Sequence, residues 1–500
     1  MNKIVLSFLL FISGLTLHSQ SDAEEKDQKP IPEARSFETL HQGVFGGKTI
    51  NYKATAKETF LTNKAGDSIA TFWSVAYTKN PVGDVKTRPV TFIFNGGPGS
   101  ASLWLHMGLF GPKIITVDSE AKKDDGAAPY TLIPNEHGLL DLTDLVFIDP
   151  VGTGYSRLVG KGKGKDFYGL NEDVASFAQF IRKWVTDNGR WFSPKYLAGE
   201  SYGTTRAAYL GKALEGSGQN MALNGMILIS QALDYAGSTS IHYNITSYIT
   251  YLPSMAATAW YHKKAGEGKT LEAFVEECRE FTYGDYTKAL YKGNLLNNAE
   301  KDKIAEKLSY FTGLDKDYIL RSNLRVLVER FQKKLLEDKG LAIGRLDGRF
   351  MGDESDDVAE RPHLGDPASY QIGAAYTAGI NHYFATDLKI DMGRPYITSG
   401  GGEGWRWRTA PDDAYWEPMP VNTAPFLGET MRRNPEMKVI VANGYYDLIT
   451  PFFDAEYTFA RNGIVTEKVS MKYYEAGHMM YTHEPDLIKL SEDIRAFLTQ

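Results

Sequence analysis

Three residues in this chain are spaced as a nucleophile, a base and the acid that orients the base. Ser201 stands in Gly199-Glu-Ser-Tyr-Gly203, Asp447 in Asn443-Gly-Tyr-Tyr-Asp447, and His478 in Glu475-Ala-Gly-His478. A serine hydroxyl is a weak nucleophile until a neighbouring imidazole takes its proton, and the imidazole needs a carboxylate to fix its tautomer. The chain order Ser, Asp, His is the order found behind a nucleophile elbow, and the chemistry would be acyl transfer. Two rivals stay open. His483 lies five residues nearer the terminal helix than His478, and Asp454 follows Pro451 in what reads as the next helix. Gly-x-Ser-x-Gly by itself is equally the sequence of a plain turn, so its context has to decide.

Acyl transfer also needs two backbone N–H groups aimed at the oxygen of the tetrahedral intermediate. One is expected from Tyr202, directly after the serine. The other is expected from Gly97, in the loop Asn95-Gly-Gly-Pro-Gly-Ser-Ala-Ser102. Glycines let backbone approach a substrate closely, and Pro98 stiffens the turn.

Each of these residues has to sit at the end of a buried strand. Tyr196 to Ala198 is an apolar run leading into the serine, and Thr204 to Leu210 starts a helix. Pro89 to Phe94, Leu145 to Ile148, Gly225 to Ser230, Met437 to Ala442 and Val469 to Tyr474 are further runs of this kind. Most are nearly continuous in apolar residues, as strands covered on both faces are. Residues 170–188 read as a helix, with Leu170, Val174, Phe177, Phe180, Ile181 and Trp184 on one face. Strands alternating with helices predict a parallel, doubly wound sheet. Upstream, from Phe37 to about Val90, β-branched and aromatic runs separated by turns predict an antiparallel meander at one edge. From Leu233 to Ile390 the alternation stops. Helices are predicted at Leu271–Phe281, Ala299–Tyr310 and Tyr318–Leu336, the last with Leu324, Leu327, Val328, Phe331 and Leu335 on one face. This mostly helical insertion would lie above the carboxyl ends of the strands, as a cap over the serine. A final helix is predicted at Pro485–Leu498. Gly400 to Gly404 is a glycine-rich loop without the strand and lysine that a phosphate cradle needs.

The chain divides accordingly into a signal peptide (1–20), a loose polar segment (21–36), the first part of an α/β core (37–232), the insertion (233–395) and the second part of the core (396–500). Lys3 followed by an apolar run to Leu17 reads as an export signal, too short to favour a membrane span, with an uncleaved anchor as the alternative. Export to a periplasmic or extracellular space is therefore expected, without stable membrane insertion once the signal is removed. A net charge of −7 gives no electrostatic reason to bind nucleic acid. Cys278 is the single cysteine, so no intramolecular disulfide can form. No cofactor or metal is called for. The sequence leaves open whether the protein is a homodimer.

Four segments together carry a resemblance: Asn95-Gly-Gly-Pro-Gly-Ser-Ala-Ser102, Val146-Phe-Ile-Asp-Pro-Val-Gly-Thr-Gly-Tyr-Ser156, Gly199-Glu-Ser-Tyr-Gly203 and Ala476-Gly-His-Met479. In this order they resemble the serine carboxypeptidase family. The resemblance implies an α/β-hydrolase fold with a helical cap, and release of C-terminal residues from peptide substrates through an acyl-enzyme. It implies that Asn95, Gly96 and Glu200 bind the terminal carboxylate of the peptide. A protonated Glu200 could donate a hydrogen bond to that carboxylate, so activity is expected to favour acidic pH. Two positions depart from the family. Leu109 stands where a second glutamate often pairs with the first, and Tyr445 stands where an aspartate is usual two residues before the catalytic one. The missing cysteines suggest a bacterial branch with a divergent cap. An esterase or acyltransferase of the same fold, and a catalytically idle binding protein, remain as alternatives.

Overall fold

The computed structural model describes residues 29–122, 126–216, 218, 220–410 and 420–500. The export segment expected at 1–20 lies outside them. The segment expected to be loose, 21–36, is described from Lys29 onward. There Lys29 bridges Gly160 and the Arg35 N–H donates to Glu58, which ties this stretch to the sheet.

The centre is one large sheet. Its antiparallel side is built from β1 (Ser36–Phe45), β2 (Lys48–Thr62) and β3 (Ser68–Lys79). β4 (Val90–Phe94) follows, and then a separate small hairpin, β5 (Lys113–Thr116) with β6 (Thr131–Pro134). β7 (Asp144–Asp149), the two-residue β8 (Arg157–Leu158), β9 (Lys195–Glu200) and β10 (Gly225–Ile229) complete the first half. A second hairpin, β11 (Leu341–Ile343) with β12 (Met351–Asp353), lies in the insertion. β13 (Lys438–Gly444) and β14 (Val469–Tyr474) close the sheet. The strand order is β1-β2-β3-β7-β4-β9-β10-β13-β14, with β8 beside β3. From β7 to β14 every pair is parallel, and from β1 to β7 every pair is antiparallel.

The burial follows from composition. β4, β7 and β10 are covered along their whole length, and β1 alternates as an edge strand does. The apolar run that looks like two strands, Lys48–Ala56 and Glu58–Thr62, is the single strand β2. No turn residue separates the halves, and the alternation runs through Lys57.

Helices cover both faces. On one, Leu170–Asp187, Tyr202–Glu215 and Ala424–Arg433 pack Phe177, Ile181, Leu210 and Leu427 against Phe92, Leu197 and Val439. On the other, Glu484–Leu498 brings Leu490 and Ile494, and Pro367–Thr386 brings Tyr376, Ile380 and Tyr383. The sequence places Pro367–Thr386 within the insertion, yet it packs in this sheet layer. Its buried stripe, with Ile372, Tyr376, Ile380 and Tyr383 at helical spacing, turns toward the sheet, and Tyr370 on the other side is exposed.

The rest of the insertion has its own core of Tyr251, Leu252, Phe274, Leu308, Phe311, Val328 and Phe331. The predicted helix Tyr318–Leu336 is in fact two, Lys316–Arg321 and Val328–Lys334. Asn323 and Leu324 between them take φ values of 52° and 64°, in the left-handed region that ends a helix. Leu324 still reaches the cap core, which is why its spacing mimics a continuous face. A mostly parallel sheet with an antiparallel N-terminal edge, covered by helices and carrying this inserted cap, is an α/β-hydrolase fold.

Candidate active site

β9 ends at Glu200, and the helix Tyr202–Glu215 starts one residue after Ser201. The whole reversal falls on Ser201, at φ 58° and ψ −129°. A left-handed serine is strained, and the strain persists only because its surroundings over-determine it. The Ser201 N–H donates to the Ile229 carbonyl at 3.0 Å. Gly199 and Gly203 meet across the turn, so a Cβ on Gly199 would lie 2.3 Å from the Gly203 carbonyl oxygen. The result is a half-buried serine held out at the carboxyl end of the sheet.

β13 and β14 lie two and three places along from β9, and their following loops carry Asp447 and His478. His478 Nδ1 is 2.7 Å from Asp447 Oδ2. A carboxylate only accepts, so Nδ1 carries the proton and Nε2 keeps its lone pair. Asp447 is fully buried, and it also accepts from the Ile449 N–H (2.8 Å), the Thr450 N–H (2.9 Å) and Thr450 Oγ1 (2.8 Å). Four donors offset the removal of a carboxylate from water. Burial alone would lower the His478 pKa, but the charge and hydrogen bond of Asp447 overcome it and raise the pKa above its usual value.

The histidine loop is clasped from outside the sheet. The His478 N–H donates to the Leu346 carbonyl (2.6 Å), and the Gly477 N–H donates to Asp347 Oδ2 (2.9 Å). Asp347 is paired with the buried Arg349, and Asp366 accepts from the N–H groups of Arg345 and Leu346. From β10, Ser230 Oγ donates to the His478 carbonyl at 2.6 Å.

The loop after β4 is pressed onto the elbow. A Cβ on Gly96 would stand 2.5 Å from the Tyr202 nitrogen and 2.7 Å from the Glu200 carbonyl oxygen. Tyr202 opens its helix, so its N–H has no carbonyl partner within that helix. Gly97, at φ +104°, is exposed beside it. Two devices hold the loop. Arg206, wholly buried, donates to the Asn95 carbonyl (2.8 Å) while paired with Asp173 (2.7 Å), and Tyr202 Oη donates to the same Asp173 (3.1 Å). On the outer side, Gly400 of the glycine-rich loop donates its N–H to the Gly99 carbonyl at 2.8 Å. That loop is a backbone clamp. Trp405 and Trp407, just beyond it, meet the Tyr202 ring edge-on.

Glu200 is 4 % exposed. Burial pushes its carboxyl up to about 7, against the pull of His478, Tyr481 and Asn95, with Asp447 adding to the push. Tyr481 Oη donates to Glu200 Oε2 at 2.6 Å. Asn95 accepts from the Leu105 N–H through Oδ1 (3.1 Å). Its buried Nδ2 makes no hydrogen bond of ordinary geometry among the described residues, though it lies close enough to influence both Glu200 and Tyr481.

Glu200, Ser201 and Tyr202 thus lie against the Asn95–Gly97 loop through the close approach of Gly96, and Asp447 and His478 form one hydrogen-bonded pair. The rivals stand apart. His483 caps the terminal helix and bonds Asp486 (2.8 Å), and Asp454 is buried in the helix Phe452–Phe459 near Gln231. Leu109 lies in the apolar layer, and Tyr445 packs against Phe452 and Tyr473. Sequence reasoning missed Tyr481, Thr450, Ser230 and the Leu346–Asp347 clasp. Thr450 has a local signal, three residues after a buried aspartate. The others come from distant segments and have none.

A sequence profile of the serine carboxypeptidase family matches residues 49–342. That span holds Asn95 to Glu200 and Ser201, while Asp447 and His478 lie beyond it. Among individual relatives, a pheromone-processing carboxypeptidase KEX1 of Cryptococcus gattii is 26 % identical over 279 residues, 53 % of this chain and 39 % of that protein. A KEX1 of Uncinocarpus reesii is 27 % identical over 197 residues, 39 % of this chain and 29 % of the other. A serine carboxypeptidase-like protein of Arabidopsis thaliana is 28 % identical over 158 residues, covering 30 % and 34 %. The chain therefore spans little more than a third of these curated relatives at most. Among solved structures, the prohormone-processing carboxypeptidase Kex1 of Saccharomyces cerevisiae shares the fold, with a TM-score of 0.54 over 90 % of this chain and 91 % of that one at 16 % identity. With more than half of its length matched by the family profile, this chain belongs to the serine carboxypeptidase family.

Proposed function

We propose that the protein is a carboxypeptidase that releases C-terminal residues from peptides through an acyl-enzyme on Ser201. The observation that carries this reading is the meeting of a strained, half-buried Ser201 with a buried carboxyl, Glu200, beside the buried Nδ2 of Asn95, which makes no hydrogen bond among the described residues. His478 Nε2 takes the Ser201 proton as Oγ attacks the scissile carbonyl, and Asp447 stabilises the imidazolium that forms. The N–H groups of Gly97 and Tyr202 hold the oxyanion. His478 returns the proton to the departing amine, and water then hydrolyses the ester by the same route. Asn95 Nδ2, the Gly96 N–H and a protonated Glu200 hold the free carboxylate of the departing residue. The chain acts outside the cytoplasm in this reading, on the strength of its N-terminal pattern.

The pH dependence follows from two opposed requirements. His478 must be neutral, and its raised pKa sets an acid limb. Glu200 must be protonated, and its value of about 7 sets an alkaline limb. The two groups interact, so both limbs belong to the pair. A narrow optimum near neutral pH is expected for free acids, and no alkaline limb for amides or esters.

The test is a set of blocked dipeptides with free or amidated C-termini, assayed with wild type and Ser201→Ala. Free acids should be turned over at least about ten times better than amides, reflecting roughly 1.4 kcal/mol or more of carboxylate recognition. Ser201→Ala should lose both turnover and fluorophosphonate labelling. Equal turnover of acid and amide would make the protein an esterase or acyltransferase instead. Absence of labelling in wild type would make it a binding protein.

A further inference from the structure

Glu200 reads the substrate carboxylate only if its proton is on the oxygen that meets the substrate. A neutral carboxyl has one hydroxyl and one carbonyl oxygen, and the carbonyl oxygen is the better acceptor. We propose that Tyr481 is a positioning residue for carboxylate recognition: by donating to Oε2 of Glu200 it leaves the acid proton on Oε1. This rests on the assignment of Glu200 to the substrate carboxylate made above.

The geometry is specific. Tyr481 Oη lies 2.6 Å from Oε2, and both side chains are almost fully buried. The phenol ring is held from two sides. Gly108 gives it room, since a Cβ there would stand 2.5 Å from Tyr481 Cε2 and 2.7 Å from Tyr376 Oη. Behind it, Tyr481 forms part of the wall of a cavity of about 420 Å³ with Ile114, Ile115, Leu487 and Ile488. The ring thus joins the terminal helix layer to the active site. Tyr481 follows His478 by three residues, in a short 3₁₀ turn from Met480 to Thr482, so one loop carries both the base and this donor.

A phenol differs from an acid in this place. It brings its own proton and stays neutral, because burial holds its pKa well above the usual value. Leu109, in the turn beside Gly108, supplies no charge. The groups that face Glu200 are His478, Asp447 and Asn95 from strand-end loops, Tyr481 from the histidine loop and Tyr376 from the helix Pro367–Thr386. No second carboxyl is among those partners except Asp447, whose own bonds go to His478, Ile449 and Thr450. Glu200 therefore does not share its proton with another acid. Free-carboxylate selectivity extends toward neutral pH and does not require strongly acidic conditions.

The test is Tyr481→Phe, which removes the hydroxyl and keeps the ring. The kcat/KM of a blocked dipeptide acid and of its ester is measured across the pH range, with wild type and Glu200→Gln alongside. Loss of a donor to the ionised form should move the alkaline limb for the acid upward by about half a unit to one unit. Below that limb, KM for the acid should rise about three- to ten-fold, with kcat and the ester little changed. Glu200→Gln, which cannot ionise, should lose the limb altogether. An unmoved limb with unchanged KM in Tyr481→Phe overturns the inference. So does an equal loss on acid and ester, which would mark a purely structural side chain. If wild type itself fails to prefer the acid, the carboxypeptidase reading falls first, and the outcome is recognisable by that control.

Discussion

A buried acid next to a nucleophile has a cost in stability as well as a use. Glu200 ionises at about 7 in the folded protein and at 4.5 in an open chain. A group raised in the fold contributes stability that is fully present below the unfolded value and lost as pH rises through the folded one. The difference amounts to something on the order of 3 kcal/mol at alkaline pH. Glu200→Gln should therefore melt higher than wild type above about pH 8 and nearly alike at about pH 4, although it loses acid selectivity. Thermal unfolding at the two pH values checks this. If the variant melts lower at both, the carboxyl stabilises the fold by packing and hydrogen bonding whatever its protonation state. At this scale the sequence was informative where chemistry is local. Ser201 and the glycines around it are legible because the turn itself demands them, whereas Glu200, a variable position of the turn, was singled out only by the family resemblance. Tyr481 was not, because nothing near it in the chain announces that its hydroxyl meets Glu200, 281 positions away.

The elements that present the site are strand ends, and their positions along the chain were readable from the apolar runs. The parallel strands were clear because burial on both faces leaves nearly continuous apolar residues. The cap was less clear. A helical spacing survives a break when the residue at the break, Leu324, still reaches the core. Contact between cap and histidine loop was invisible, since it runs through backbone groups. Gly477 exposes that contact to test. A Cβ there would stand 2.4 Å from both the Asp347 Cα and the Leu346 carbonyl oxygen, so Gly477→Ala must push the loop off its clasp. Displacing the His478 base by even an ångström is expected to lower kcat about a hundred-fold, with a smaller change in KM. The rate of fluorophosphonate labelling should fall in parallel. A variant of unchanged kcat would mean that the loop keeps its place without the clasp.

Over the whole molecule, stability comes from two apolar layers on the sheet and a separate cap core, with no covalent cross-link. Cys278 is buried and is the single cysteine. The melting temperature should be the same with and without a thiol reductant, and a fall on reduction would reveal an intermolecular bond through Cys278. One buried ion pair links two helices of the same layer. Arg206 and Asp173 are buried together behind the elbow, and breaking such a pair costs about 3–5 kcal/mol because the remaining charge is left without a partner.

The order of strands in the sheet bears on when the protein becomes active. The proposed nucleophile, Ser201, follows β9 near the middle of the sheet, and the proposed base, His478, follows β14 at the far edge. Synthesis runs from the N-terminus, and His478 follows Ser201 by 277 positions. A nascent chain therefore carries a serine with nothing to deprotonate it until the last strand is in place. In the mechanism proposed above, hydrolysis waits until β14 and the loop after it are in place.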